Sequence, residues 1–262
     1  MSYKHFKAND PNIINLYGVR TAETSCGYLV PHISPSANIL DVGCGPGRIT
    51  ADLAKLASQG QTIGVDASVA VIAEASASFP SSEIPNLKFV VGDATKLAEY
   101  MDNSFDIVHC HQLLVHVTDA QTAMKEFYRI CKPGGIVACR EVNFKNVVSL
   151  KPDLPELRAF FSRTAETIGG HADAGDMLET WAKGAGFGSD GGKGVVLTKN
   201  VMQSPSMLSV VTGAQAESAV AFGMASKEEM DVWAKAWEQW EKTEGKEYTK
   251  EMKEILCFKG DV

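Results

Sequence analysis

The stretch Ile39 to Thr50, ILDVGCGPGRIT, reads as a short apolar strand, a turn with glycine at 43, 45 and 47, and the first turns of a helix. Glycines there let the backbone approach a ligand closely, and the helix behind them presents N–H groups at its positive end. The turn is therefore expected to hold a nucleotide-like ligand, with a plain tight turn as the alternative. The spacing is G-x-G-x-G with Pro46 inside it, which departs from the G-x-G-x-x-G of dinucleotide-binding dehydrogenases.

Outward from this turn, short β-branched runs alternate with helical stretches, the pattern of a parallel sheet flanked by helices. Strands are expected at 38–42, 61–66, 87–92, 105–111 and 135–142, and helices at 48–57, 69–79 and 119–131. Lys132-Pro133-Gly134-Gly135 stops the last of these. Beyond Phe144 the reading gives helices at 157–168 and 173–185, a strand at 195–202, a long helical region over 206–250 and a final strand at 254–258. In that region Met230, Trp233, Trp237 and Trp240 recur at helical spacing, so they share one face; it packs on the core or walls a ligand.

Three strand ends in a row carry acids. Asp41 precedes the glycine turn, Asp66 closes the second strand 19 residues after Gly47, and Asp93 follows the third strand in VVGDAT. A carboxylate at the second strand end accepts ribose hydroxyls, as nicotinamide and adenosyl ligands both require, and it also serves as a helix cap. The three converge at the carboxyl edge of the sheet, where open α/β folds bind ligands.

Of the 262 residues, 45 % are apolar and 22 % charged, enough for a large core. The formal charge of −7 works against a phosphate backbone, so a nucleic-acid partner is not expected. The first ten residues, MSYKHFKAND, lack the apolar core of a secretion signal, no run of about 18 apolar residues occurs, and no membrane association is expected. The six cysteines are scattered without a C-x-x-C pair and read as buried thiols of a cytoplasmic protein. His109, Cys110, His111 and His116 fall on one strand and its exit, where alternation splits them between two faces, so no metal site is expected.

The segments LDVGCGPG, GVDAS, VGDAT, FDIVHCHQLLVHVTD and CKPGG, in this order and spacing, resemble a class I S-adenosylmethionine-dependent methyltransferase of the UbiE-like, small-molecule kind. Similarity to a subgroup extends to Arg20-Thr21-Ala22-Glu23 and YLVPHI upstream, and to DAGDMLETWAKGAGF and FGMASKEEM downstream. The resemblance implies a doubly wound, Rossmann-like α/β fold: seven mostly parallel strands, the last antiparallel, with a helical cap insert. It implies one methyltransferase domain over residues 1–262, with a cofactor core at 36–145 and a helical cover from 1–35 and 204–250. The cofactor would be S-adenosylmethionine, leaving as S-adenosylhomocysteine, and the partner a small-molecule acceptor.

By the same resemblance Gly43, Cys44, Gly45 and Gly47 with Asp41 would meet the methionine part, Asp66 with Ala67 the ribose, and Gly92, Asp93 and Ala94 the adenine. His111 and Gln112 would lie beside the cofactor. Arg20 is a candidate for its carboxylate, by the bidentate fork of a guanidinium, or for a surface ion pair. Tyr17 is a candidate to cover the sulfonium, or plain packing. His116 is the candidate base, since an unperturbed pKa of about 6.5 suits proton removal at neutral pH; the alternative is a histidine that only shapes the cofactor pocket or binds substrate. Arg140, near the end of the fifth strand, either holds an anionic acceptor or forms an internal ion pair. HCHQ replaces the proline-rich tetrapeptide of amino-group methylases acting on nucleic acids and glutamine, and no aspartate stands there for a magnesium-dependent enzyme. A nicotinamide oxidoreductase and a cofactor-binding fold that transfers no methyl group are the rival readings. Met207, Val211 and Phe222 are expected to wall the acceptor site.

Overall fold

The structure is a computed structural model, and it describes residues 20–167, 170–189, 192–204, 206–221 and 223–260. Seven strands form one sheet in the order β3-β2-β1-β4-β5-β7-β6. They are β1 (Ile39–Val42), β2 (Thr62–Asp66), β3 (Leu87–Val91), β4 (Phe105–His111), β5 (Cys131–Lys151), β6 (Gly194–Gln203) and β7 (Glu247–Phe258). The pairs β1·β2, β1·β4, β2·β3 and β4·β5 are parallel, and β7 runs antiparallel to both β5 and β6. The helices are α1 (Ala22–Cys26), α2 (Arg48–Leu56), α3 (Val69–Ser78), α4 (Ala120–Ile130), α5 (Pro155–Thr167), α6 (Ala174–Ala185), α7 (Gly213–Ala221) and α8 (Lys227–Lys242). None is long and apolar enough to cross a membrane.

Strand β1 is buried on both faces, as the centre of a doubly covered sheet must be. On one face α1 and α2 pack Cys26, Leu29 and Leu53 against Ile39, Ile107 and Ala138. On the other, α4 and α6 pack Met124, Phe127, Leu178 and Trp181 against Val108, Val137 and Cys139. All six cysteines are free and buried.

The largest departures from the sequence reading lie at the β5–β7 end. Strand β5 runs on to Lys151 and β7 starts at Glu247, so the two continue pairing past the parallel core through Val147↔Lys250, Leu150↔Tyr248 and Lys151↔Glu247. The region expected to be helical over 206–250 is a 3-10 turn (Leu208–Val210), α7, α8 and then the first third of β7. Ser226 and Glu229 close a reciprocal capping box that starts α8 afresh. These helices and α5 enclose a separate core on the strand extensions, in which Leu150 and Tyr248 meet Phe160, Phe161, Trp233, Trp237 and Trp240. The tryptophan stripe faces that core. So do Val211 and Met207, which line no open wall, while Phe222 lies outside the described residues.

Candidate functional site

Gly43, Gly45 and Gly47 all take left-handed backbone angles, with φ of 73°, 53° and 84°. A Cβ on Gly43 would meet the Leu113 side chain at 2.7 Å and one on Gly47 the Phe89 ring at 2.6 Å, whereas one on Gly45 would point into open space. Gly45 thus marks the open side of the turn. Its N–H donates to Asp66 Oδ2 at 3.2 Å, and Ser68 N–H donates to Asp66 Oδ1 at 2.9 Å. Asp66 is held at the mouth of the turn with lone pairs to spare. Burial raises its pKa against the pull of those backbone N–H groups. Ala67 is exposed beside it, and Gly92 N–H donates to Asp66 O at 3.0 Å, which joins the third strand end to the second. Asp93 is exposed and Ala94 buried. Burial raises the Asp93 pKa, but donation from the Thr95 N–H and hydroxyl outweighs it and the net shift is downward. Cys44 is buried, and its thiol is pushed well up, chiefly by burial.

Two expected ligand-facing groups are turned inward instead. Asp41 accepts from Thr50 Oγ1 at 2.6 Å and pairs with His109 Nδ1 at 2.7 Å, while His109 Nε2 lies 3.2 Å from Cys26 Sγ. This buried Cys26–His109–Asp41 chain ties α1 to the sheet beneath the turn, so Asp41 braces the turn without lining it. Burial opposes charge on His109, but Cys26 and Asp41 raise its pKa well above the usual value. Arg140 is 4 % exposed; it donates to the Thr24 and Ser25 carbonyls at 2.9 and 3.1 Å and pairs with Glu254 at 3.3 Å. Its charge is spent on the fold, the internal ion pair among the two readings. Tyr17 lies outside the described residues.

The loop after β4 completes the edge. Gln112 takes a left-handed φ of 53°, donates its backbone N–H to Arg140 O at 2.8 Å and accepts from Arg20 Nη2 at 2.8 Å. His111 is driven well below its usual pKa by burial and by Arg20 and Arg140, so it is neutral. His116 is partly buried, its N–H bonded to Leu113 O at 2.9 Å.

Sequence reasoning missed Glu141 as the anchor of this loop. Fully buried, it accepts from Leu113 N–H at 2.8 Å and Leu114 N–H at 2.7 Å, with Oε2 left unpartnered. The carboxylate was visible beside Arg140, but its partners are backbone groups that no side-chain pattern announces. Burial pushes its pKa up to about 8 against the pull of those N–H groups. The folded carboxyl then holds its proton more tightly than the unfolded one at 4.5, so its contribution is whole below about 4.5 and is lost as pH rises through about 8. The slope is at most about 1.4 kcal/mol per pH unit. Glu141→Gln is expected to flatten the fall in urea-unfolding free energy over that window. Parallel profiles for variant and parent would show an ordinary carboxyl.

The profile of the methyltransferase-domain family matches residues 33–186, more than half of the chain, and spans the glycine turn, Asp66, Asp93 and the β4 loop. The chain belongs to the methyltransferase-domain family. A probable methyltransferase of Aspergillus luteorubrus, ltbC, is 36 % identical over 186 residues, 66 % of this chain and 65 % of that protein. A demethylmenaquinone methyltransferase of Staphylococcus aureus is 37 % identical over 124 residues, 47 % of each chain. The match thus spans less than two thirds of either relative's own length. Phosphoethanolamine N-methyltransferase 2 of Haemonchus contortus, solved with phosphomonomethylethanolamine and S-adenosylhomocysteine, superposes with a TM-score of 0.60 at 19 % identity, over all of this chain and 61 % of that one. At that identity it shows the fold alone. This methyltransferase-domain chain is a class I fold, a fold whose cofactor is S-adenosylmethionine.

Proposed function

We propose that this chain transfers a methyl group from S-adenosylmethionine to a small-molecule acceptor. The observation that carries the reading is the convergence of Gly45, facing open space at φ 53°, with Asp66 and Asp93 on three adjacent strand ends. The glycine turn would take the methionine part, Asp66 and Ala67 the ribose, Gly92, Asp93 and Ala94 the adenine, and Arg20 with Gln112 the cofactor carboxylate. When bound, the cofactor supplies a sulfonium-activated methyl group. The chain's own work is then to align the acceptor for in-line attack and to exclude water. The helices over 206–242 and the segment before α1 would form that cover, the two being parts of one methyltransferase domain. The net charge of −7 supports a small acceptor over nucleic acid, and six buried free thiols suit the cytoplasm.

Calorimetry with S-adenosylhomocysteine, followed by a screen of metabolite fractions with methyl-labelled cofactor, tests the reading. Binding with no labelled product in any fraction would support a cofactor-binding protein that transfers no methyl group; no binding would end the proposal. His116 is assigned the proton-accepting role, because the Glu141-pinned loop sets it at the exit of β4. His116→Ala is expected to lower turnover about a hundredfold with cofactor affinity nearly unchanged. Equal losses in rate and affinity would make it a wall of the pocket.

A further inference from the structure

We propose that Lys250, on β7, binds an anionic group of the methyl acceptor, a carboxylate or a phosphate. The inference rests on the methyltransferase reading and deepens it. Lys250 stands where the top of the sheet meets the cap: its neighbour two residues on, Tyr248, is in the cap core, and Met252, two residues the other way, accepts a long contact from Gln112 Nε2 at 3.7 Å. It is partly buried, and its side chain makes no hydrogen bond or ion pair with any described residue.

The groups that act on Lys250 are cations, of which Arg140 is already paired with Glu254. The charges of Arg20, from the segment before α1, and of Arg140, from β5, act on Lys250, and Lys250 acts in turn on His111 of β4. Glu254, further down β7, is taken by Arg140 and by Asn200 Nδ2 at 2.5 Å. Glu141 is turned to the Leu113 and Leu114 N–H groups, and Glu251 pairs with Lys199 at 2.5 Å. A partly buried ammonium amid cations, with the neighbouring carboxylates of the described residues engaged, is suited to an anion from outside the chain. Burial, Arg20 and Arg140 together bring its pKa down to about 7, and an anion seated there would reverse the last two effects.

Position separates this anion from the adenosyl part of the cofactor, while the cofactor's carboxylate, assigned to Arg20 and Gln112, is the neighbouring anion from which the test must tell it. The glycine turn follows β1, and β1 is three strands from β7 in the sheet, about 14 Å at the usual spacing. Asp66 and Asp93 lie further off still, on β2 and after β3. On this reading the cofactor would fill the β1–β4 side and reach Gln112 with its carboxylate, and Lys250, beyond Gln112 and beside the cap core, would be left to the acceptor.

The test is titration of the protein, saturated with S-adenosylhomocysteine, with malonate and separately with inorganic phosphate. The parent is expected to bind one of the two, which names the source chemistry, and more weakly at pH 8.5 than at pH 6 because Lys250 sheds its proton between. Lys250→Met is expected to weaken that binding about tenfold or more, with S-adenosylhomocysteine affinity within about twofold of the parent, and Lys250→Arg to restore it and remove the pH dependence. Lack of binding of either anion by the loaded parent, or equal anion binding by Lys250→Met, would overturn the proposal. So would Lys250→Met weakening S-adenosylhomocysteine instead, which would give the lysine to the cofactor. A parent that fails to bind S-adenosylhomocysteine at all would strike the methyltransferase reading itself, a distinguishable failure.

Discussion

Asp66→Ala is expected to weaken S-adenosylhomocysteine binding by about a hundredfold or more. Two losses add. The carboxylate would accept both ribose hydroxyls, and hydrogen bonds to a charged group are worth roughly 1.5 to 3 kcal/mol each. The same oxygens hold the N–H groups of Gly45 and Ser68, so the truncation also frees the turn that faces the ligand. Asp66→Asn separates the two contributions: one amide oxygen keeps part of the brace, while the amide nitrogen cannot accept. The asparagine variant should fall between parent and alanine, and calorimetry reads all three. Because burial raises the Asp66 pKa, affinity should also weaken as pH falls toward the acid range, where the carboxyl takes up its proton. Equal affinity in parent and Asp66→Ala would remove Asp66 from the site, whatever the chain's activity.

What was legible in the sequence is the part whose local signals agree with its tertiary role. Strand β4 was read at its observed bounds, and β1, β2 and β3 to within one residue, because each is a short apolar run closed by glycine, proline or a charged cap. The amino-terminal part of β7 was not. Its residues EYTKEMK carry four charges and follow a helix after a four-residue turn, so nothing local marks a strand. It forms because Tyr248 is buried in the cap core, Glu251 pairs with Lys199 and β5 continues alongside: tertiary pairing overrides propensity. Lys250 was hidden for the same reason, being read as part of a helix. Asp41 failed differently. The acid was legible, but its partners Thr50 and His109 lie 9 and 68 residues away, and no spacing rule separates a brace beneath a turn from a ligand above it.

Trp237→Ala is expected to cost about 3 to 5 kcal/mol of cap stability while leaving S-adenosylhomocysteine affinity nearly intact. Trp237 is fully buried at the centre of the cap core, its ring 5.3 Å from Trp240, 5.7 Å from Tyr248, 6.1 Å from Phe161 and 6.2 Å from Phe160. Those partners come from α5, α8 and the start of β7, so one truncation loosens three walls of that core. Among the buried residues of the cluster, only Leu150 and Tyr248 belong to the sheet, at the far ends of β5 and β7. The glycine turn, Asp66 and Asp93 sit on the opposite half of the sheet and share none of it. Loss of the cap should therefore appear as faster amide exchange over 213–242 and at the tip of β7, with protection retained in β1, β2 and β4. Methyl transfer should fall with the cap, since an acceptor left open to water is neither aligned nor desolvated. If cofactor affinity and protection across β1 to β4 fall together with the cap, the two cores form one cooperative unit and the cover does more than enclose the acceptor.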